Sequence, residues 1–191
     1  MSRTSLSHPL RIDTVSAGAG CIGMTFSPGK KGPSVFGDSW DRDLEADLVV
    51  ITAWSPTVVV TLIEAEEFTI LQTPRLGEQV QAAGLEWRHL PIRDLNAPGP
   101  RFERAWTFAG AELRDLLCRG GRVLVHCRGG RGRTGLVACR LLTELGEPAE
   151  AALLRVRAAR EGAVETKPQL EHVLAVQPVP EDPERTSRRL A

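Results

Sequence analysis

The residues best suited to chemistry lie in one stretch, His126-Cys127-Arg128-Gly129-Gly130-Arg131-Gly132-Arg133-Thr134-Gly135. A cysteine that attacks phosphorus must do so as a thiolate. A free thiol titrates at about 8.5, and a helix N-terminus or a nearby cation lowers this to roughly 3.5–7.5. Both aids are available to Cys127, from the six residues that follow it and from the Arg133 guanidinium. Arg133 offers a planar fork for two oxygens of a phosphoryl group, which a lysine cannot match. Gly129, Gly130 and Gly132 let the backbone curl until its N–H groups converge, so residues 128–133, Arg128 and Arg131 included, form a phosphate-binding ring. Thr134 is placed to donate its hydroxyl to the sulfur and make it a better leaving group in a second step. Such chemistry requires a sulfur that solvent can reach.

The flanking elements suit this task. Arg122-Val123-Leu124-Val125 is short, β-branched and set off by Gly120-Gly121, the pattern of a buried strand. Leu136 to Leu142 repeats apolar residues at helical spacing and stops at Gly146, the pattern of a helix. A loop between a strand end and a helix start suits an anion, because the first helical amides lack partners and the dipole is positive there. Three glycine-rich motifs come close to this stretch without fitting it. Gly130 to Gly135 matches the dinucleotide spacing G-x-G-x-x-G, but Glu150 falls in the first turn of a helix instead of at a strand end. A P-loop needs lysine where Leu136 stands. Arg-Gly-rich RNA-binding segments lie in low-complexity tails, whereas this motif is a single copy between apolar elements. None of the three accounts for Cys127.

H-C-x5-R-T-G resembles the signature loop of the cysteine-dependent protein tyrosine and dual-specificity phosphatases. The resemblance implies a nucleophile at Cys127, a phosphate fork at Arg133 and a phosphocysteine intermediate, with neither metal nor cofactor. It also implies a loop aspartate some 30 residues ahead of the cysteine, and Asp94 stands thirty-three positions before Cys127. Asp94 is assigned as general acid and then general base; taken alone, it also fits an Asx-turn in a Pro/Gly loop. By the same resemblance His126 orients the loop through backbone contacts and carries no proton. Gln169 resembles the glutamine that orients the hydrolytic water, and it equally completes a capping box with Thr166. Trp40-x-Arg42-Asp43-Leu44, Leu62-x-x-x-Glu66-Glu67-Phe68, His89-Leu90-Pro91-Ile92-x-Asp94 and Gly162-Ala163-Val164-Glu165-Thr166-x-x-Gln169 are similar to the compact branch that includes the cyclin-dependent-kinase-associated phosphatase. With Arg128 and Arg131, the loop also resembles the C-K-A-G-K-G-R-T-G loop of phosphoinositide 3-phosphatases. The implied substrates are phosphotyrosine, with phosphoserine or phosphothreonine, in proteins. The alternatives are phosphoinositides or another polyphosphorylated small molecule, a phosphate-binding module that does not turn over, and a sulfurtransferase.

The chain of 191 residues has a formal net charge of zero, so no whole-protein field recruits nucleic acid or a membrane. It shows no signal-peptide core and no stretch that could span a bilayer. Cys21, Cys118, Cys127 and Cys139 form no C-x-x-C pair, which argues against a zinc site or a disulfide scaffold and for a reducing, cytoplasmic setting. Cys139 is expected in a helix core, and Cys21 and Cys118 have no assigned role. There is no tyrosine, so the chain cannot be its own phosphotyrosine substrate. A monomer is expected.

Strands alternate with helices, which predicts an α/β fold: a mostly parallel central sheet with helices on both faces, protein-tyrosine-phosphatase-like. The signature loop then sits at the C-terminal end of a strand, where such sheets place ligands. One catalytic domain is expected over residues 10–177, with flexible termini at 1–9 and 178–191. Along it, strands are expected at 11–15, 21–26, 58–62 and 86–90. Helices are expected at 40–51, capped by Ser39 or Asp41, around Phe68, and from a Thr73 cap to Gly84. Further helices are expected at 102–117, 134–145, 148–160 and 167–177. Lys30 and Lys31 are expected to be solvated in a loop, or else to border the active-site cleft.

Overall fold

Val123, Leu124 and Val125 alternate between two apolar layers, and the strand that carries them is the middle of the sheet. The computed structural model describes residues 2–34 and 37–180. Five strands form the sheet in the order β1 (Asp13–Ala17), β2 (Gly20–Phe26), β7 (Arg122–Cys127), β5 (Val58–Thr61), β6 (Glu86–His89). β1 runs antiparallel to β2, and every other pairing is parallel. In register, Phe26 stands beside Cys127 and Thr61 beside His126, so three strands end at the signature loop.

Helices α4 (Pro100–Cys118), α5 (Gly132–Glu144), α6 (Ala149–Ala159) and α7 (Lys167–Ala175) cover one face with Val123, Val125, Val58 and Val60. Helices α1 (Leu44–Trp54) and α3 (Leu76–Ala82) cover the other with Leu124 and Val59. The short helix α2 (Ala65–Ile70) follows β5. Nearly every residue of α5 is buried, which explains an apolar run with little polar face. Among the described residues no helix is long and apolar enough to cross a membrane.

Four local expectations change. Trp40–Asp41 is a two-residue strand (β4) paired with Lys31–Gly32 (β3), and α1 begins only at Leu44. Its cap is Asp43, whose carboxylate accepts from the Ala46 N–H at 3.0 Å, so neither Ser39 nor Asp41 caps it. The reason is tertiary: Trp40 packs against Phe26, and Arg42, two residues on, turns into the core. Thr73 does not cap α3, which starts after Arg75 without a side-chain cap; the buried Thr73 hydroxyl has no partner among the described residues. Lys30 is buried while Lys31 stays half-exposed, so only one of the pair is solvated.

The start of the chain is also tied down. Ser5 Oγ donates to Asp47 at 2.8 Å, and the His8 carbonyl accepts from Arg42 at 2.6 Å. Asp47, almost fully buried, further accepts from Arg42 Nε and Nη2 (2.8 and 2.6 Å) and from the Gly29 N–H (2.8 Å). One carboxylate thus joins the first residues, the loop after β2 and α1. The expected flexible tail falls mostly on residues 181–191, outside the described residues.

Removing one partner of a buried ion pair leaves the other uncompensated. Asp47→Ala is expected to cost about 3–5 kcal/mol, measured as a lower urea midpoint at unchanged slope.

Candidate active site

The end of β7 places Cys127 at the floor of the loop, and the following turn brings the Gly130 N–H to 3.2 Å from its sulfur. Gly130 has φ +71, and a Cβ there would lie 2.4 Å from the Thr25 carbonyl, so only glycine lets the loop press this closely on β2. Cys127 is 3% exposed. The sulfur is therefore far less open than expected, since the loop curls round it before α5 begins.

Arg133, in the first turn of α5, is 1% exposed and held rigidly. Its Nη1 and Nη2 donate to the two Glu67 oxygens at 2.5 and 2.9 Å, and Nη1 also donates to the Ile92 carbonyl at 3.1 Å. Burial alone would lower the guanidinium pKa, but the Glu67 carboxylate and the nearby Cys127 and Asp94 outweigh it and raise the pKa. Its Nε has no hydrogen-bond partner among the described residues. Asp94 reaches the same group: its Oδ1 lies 2.9 Å from Nη2. The sheet and α2 thus bring together Cys127, Arg133 and Asp94, which the chain separates. Asp94 Oδ1 also accepts from the Leu95 N–H at 3.1 Å, one residue on where an Asx-turn needs two, and the Asn96 N–H goes instead to the Arg93 carbonyl.

His126 is fully buried, and its Nε2 lies 2.7 Å from the Thr61 hydroxyl, which accepts from Trp87 Nε1 at 2.8 Å. Its Nε2 anchor is thus a side chain, whereas only backbone contacts were expected. Burial pushes its pKa down to about 3, against the opposing effect of the Cys127 backbone, so the ring is neutral at pH 7. Thr134 is fully buried, and its hydroxyl makes no hydrogen bond among the described residues. The expected bond from Thr134 to the sulfur is therefore not made.

Gln169 meets one expectation, the capping box, and lies beside the loop. It completes the capping box of α7 with Thr166, and its amide lies within 2.8–2.9 Å of where a Gly132 Cβ would be. Glu165 joins it there, its carboxylate accepting from the Gly132 N–H at 2.8 Å. Thr166 Oγ1 donates to the Leu95 carbonyl at 2.9 Å, joining this segment to the Asp94 loop. Arg131 is exposed and lies over Gly162, while Arg128 is half-buried. Cys139 is buried in α5, and burial pushes its thiol up to about 12. A cavity of about 500 Å³ lies behind the Asp94 loop, lined by His89, Arg93, Pro100 and Phe102 but by none of residues 127–133.

Glu67 and Glu165 had no role assigned from sequence. Glu67 carried a usable signal, an acid at the third helical position that also accepts from the Glu64 N–H at 2.8 Å, as a capping box requires. Glu165 carried none, because its partner is a backbone amide from another segment.

A mostly parallel sheet whose central strand ends in a cysteine that accepts a loop amide, with an arginine at the start of the next helix, defines the protein tyrosine and dual-specificity class of cysteine-dependent phosphatases. Residues 47–147, just over half of the chain, match the family described as Tc-R-P, polymorphic toxin system, DSP-PTPase phosphatase, and the chain belongs to that family. Mouse cyclin-dependent kinase inhibitor 3 is 28% identical over 121 residues, which are 63% of this chain and 54% of that protein. The chain thus spans about half the length of this curated relative. The crystal structure of kinase associated phosphatase, with its catalytic-site cysteine changed to serine, superposes with a TM-score of 0.76 at 25% identity, covering 86% of this chain and 92% of the other. Tk-PTP in its active form gives 0.63 at 27% identity, covering 82% and 90%. PTPMT1 in complex with PI(5)P gives 0.64 at 16% identity over 94% and 99%, a likeness of fold alone.

Two outcomes are expected. Glu67→Ala strands the buried Arg133 charge and is expected to lower stability by about 3–5 kcal/mol in urea titrations. His126 has a folded pKa below its ordinary 6.5, so the unfolded chain takes up its proton first as pH falls. Its contribution is complete above pH 6.5 and is lost between there and about 3. In His126→Gln, the slope of stability against pH across that window is expected to fall by up to about one proton.

Proposed function

We propose that this protein hydrolyses phosphomonoesters on tyrosine, and on serine or threonine, of proteins through a phosphocysteine intermediate. One observation carries the proposal: Asp94 and Glu67 meet on Arg133, beside a sulfur that already accepts a loop amide. Cys127 attacks phosphorus as the ester oxygen departs, and Asp94 gives that oxygen a proton. Asp94 then takes a proton from water, whose oxygen attacks phosphorus and expels the sulfur, releasing inorganic phosphate. Arg133 Nε, buried and without a partner among the described residues, is the donor left for a phosphoryl oxygen, because Glu67 and Ile92 occupy Nη1 and Glu67 and Asp94 occupy Nη2. An incoming phosphoryl dianion competes with Asp94 for Nη2 and thereby frees the carboxyl to face the leaving group. Gln169, beside Gly132, orients the water. Four free cysteines suit the reducing cytoplasm.

Phosphoinositides are the second substrate class, favoured by the exposed Arg131 and half-buried Arg128 at the loop rim. Phosphate release from tyrosine phosphopeptides and from phosphoinositide vesicles, measured side by side, separates the two. Release from the lipids alone overturns the first choice.

Cys127→Ser is expected to abolish phosphate release. Asp94→Asn is expected to lower turnover by about 10²–10⁴, with the loss shrinking for esters of acidic leaving groups. An equal loss on all esters removes Asp94 from the acid role.

A further inference from the structure

Three successive carbonyls of the loop rest on two cations that the chemistry above leaves unused. Lys30 Nζ donates to the Arg128 carbonyl at 3.2 Å, alongside the Ser27 N–H at 3.4 Å. Arg160, at the end of α6, donates through Nη2 to the Gly129 carbonyl at 3.5 Å and through Nε to the Gly130 carbonyl. A planar trans peptide points its C=O and the next N–H in opposite directions. The unit between Gly129 and Gly130 displays the consequence: its oxygen faces Arg160, while its N–H lies on the Cys127 sulfur at 3.2 Å. By the same geometry, the amides of Gly129 and Arg131 point away from Lys30 and Arg160.

Both cations are built in. Lys30 is 7% exposed, with Nζ 4.4 and 4.2 Å from the ring centres of Phe26 and Trp40, a cation–π cage that offsets part of its lost hydration. Arg160 is anchored by Asp13 Oδ2 at 2.7 Å and by the Met24 carbonyl at 3.3 Å. We propose that Lys30 and Arg160 are positioning residues that hold the Arg128, Gly129 and Gly130 carbonyls outward and so aim the loop amides at the phosphoryl group. This rests on the loop being the phosphate site assigned above. Burial pushes the Lys30 pKa down to about 7, opposed by Cys127 and reinforced by Arg42, Arg128 and Arg160, the charged groups that surround it. Lys30 therefore titrates in the range where a cysteine nucleophile works.

The test uses the full chain and needs no turnover. Iodoacetate alkylation of Cys127 is followed against pH, with and without inorganic phosphate as protectant. Lys30→Met fills the cage without charge or donor, and Arg160→Met, paired with Asp13→Asn, removes the second cation. Each is expected to weaken phosphate protection by about tenfold or more, the loss of one charged hydrogen bond, and to move the alkylation midpoint to higher pH. Lys30→Arg is expected to restore protection in part, which a space-filling role would not require. Should Lys30→Met fail to fold, the Arg160 variant decides by the same readouts. Folded variants with wild-type protection and midpoint overturn the proposal. A wild-type protein that phosphate protects but that hydrolyses no monoester overturns the function and leaves the positioning role standing; one that phosphate does not protect overturns both.

Discussion

A loop that turns its N–H groups toward one point must turn its carbonyls away from it, and those buried oxygens need partners of their own. Here charged side chains from outside the loop serve, Lys30 from the segment after β2 and Arg160 from the end of α6, with the Ser27 N–H as a second donor to the Arg128 carbonyl. The same logic governs Arg133. A guanidinium this deeply buried persists only where carboxylates and carbonyls satisfy it, and Glu67 and Ile92 supply them. The cradle is thus a junction of segments joined by charge-assisted hydrogen bonds, stronger and more directional than apolar contact.

Besides Glu67, two carboxylates rest on the cradle's donors: Asp94 on Arg133 Nη2, and Glu165 on the Gly132 N–H. Each is flanked by a non-glycine residue in the left-handed region, Leu95 at φ 61 and Val164 at φ 60. Such residues cost about 1–3 kcal/mol each and persist only where the surroundings over-determine them. The Thr166–Leu95 hydrogen bond binds one strained turn to the segment carrying the other. A close approach on the far side has a similar basis: a Cβ on Gly135 would meet Ala163 at 2.8 Å, so glycine lets the 162–164 segment lie against α5.

Much of this is legible in sequence where one physical signal acts alone. The β-branched runs of β5 and β7 are buried strands, and the periodic Phe102, Trp106, Ala109 and Leu113 are the buried face of α4. Thr166 and Gln169 cap α7 as their spacing requires. Local patterns mislead where tertiary contacts override them. Trp40 has the setting of a helix's first turn, but pairing with Gly32 and packing on Phe26 make it a strand. Lys30 has the setting of loop surface, but two aromatic rings enclose it.

The sequence by itself determined the order of elements, the strand–loop–helix unit with its cysteine and arginine, and the acid thirty-three positions upstream. These follow from local periodicity, from glycine's conformational range and from residue spacing, none of which needs the rest of the chain. Only the tertiary structure decided which groups surround the loop. Glu67 on Arg133, Lys30 and Arg160 on the carbonyls, Thr61 on His126 and Glu165 on Gly132 join residues between 30 and 98 positions apart. Such pairings are set by the order of strands in the sheet, and no local pattern encodes the partner of a buried charge.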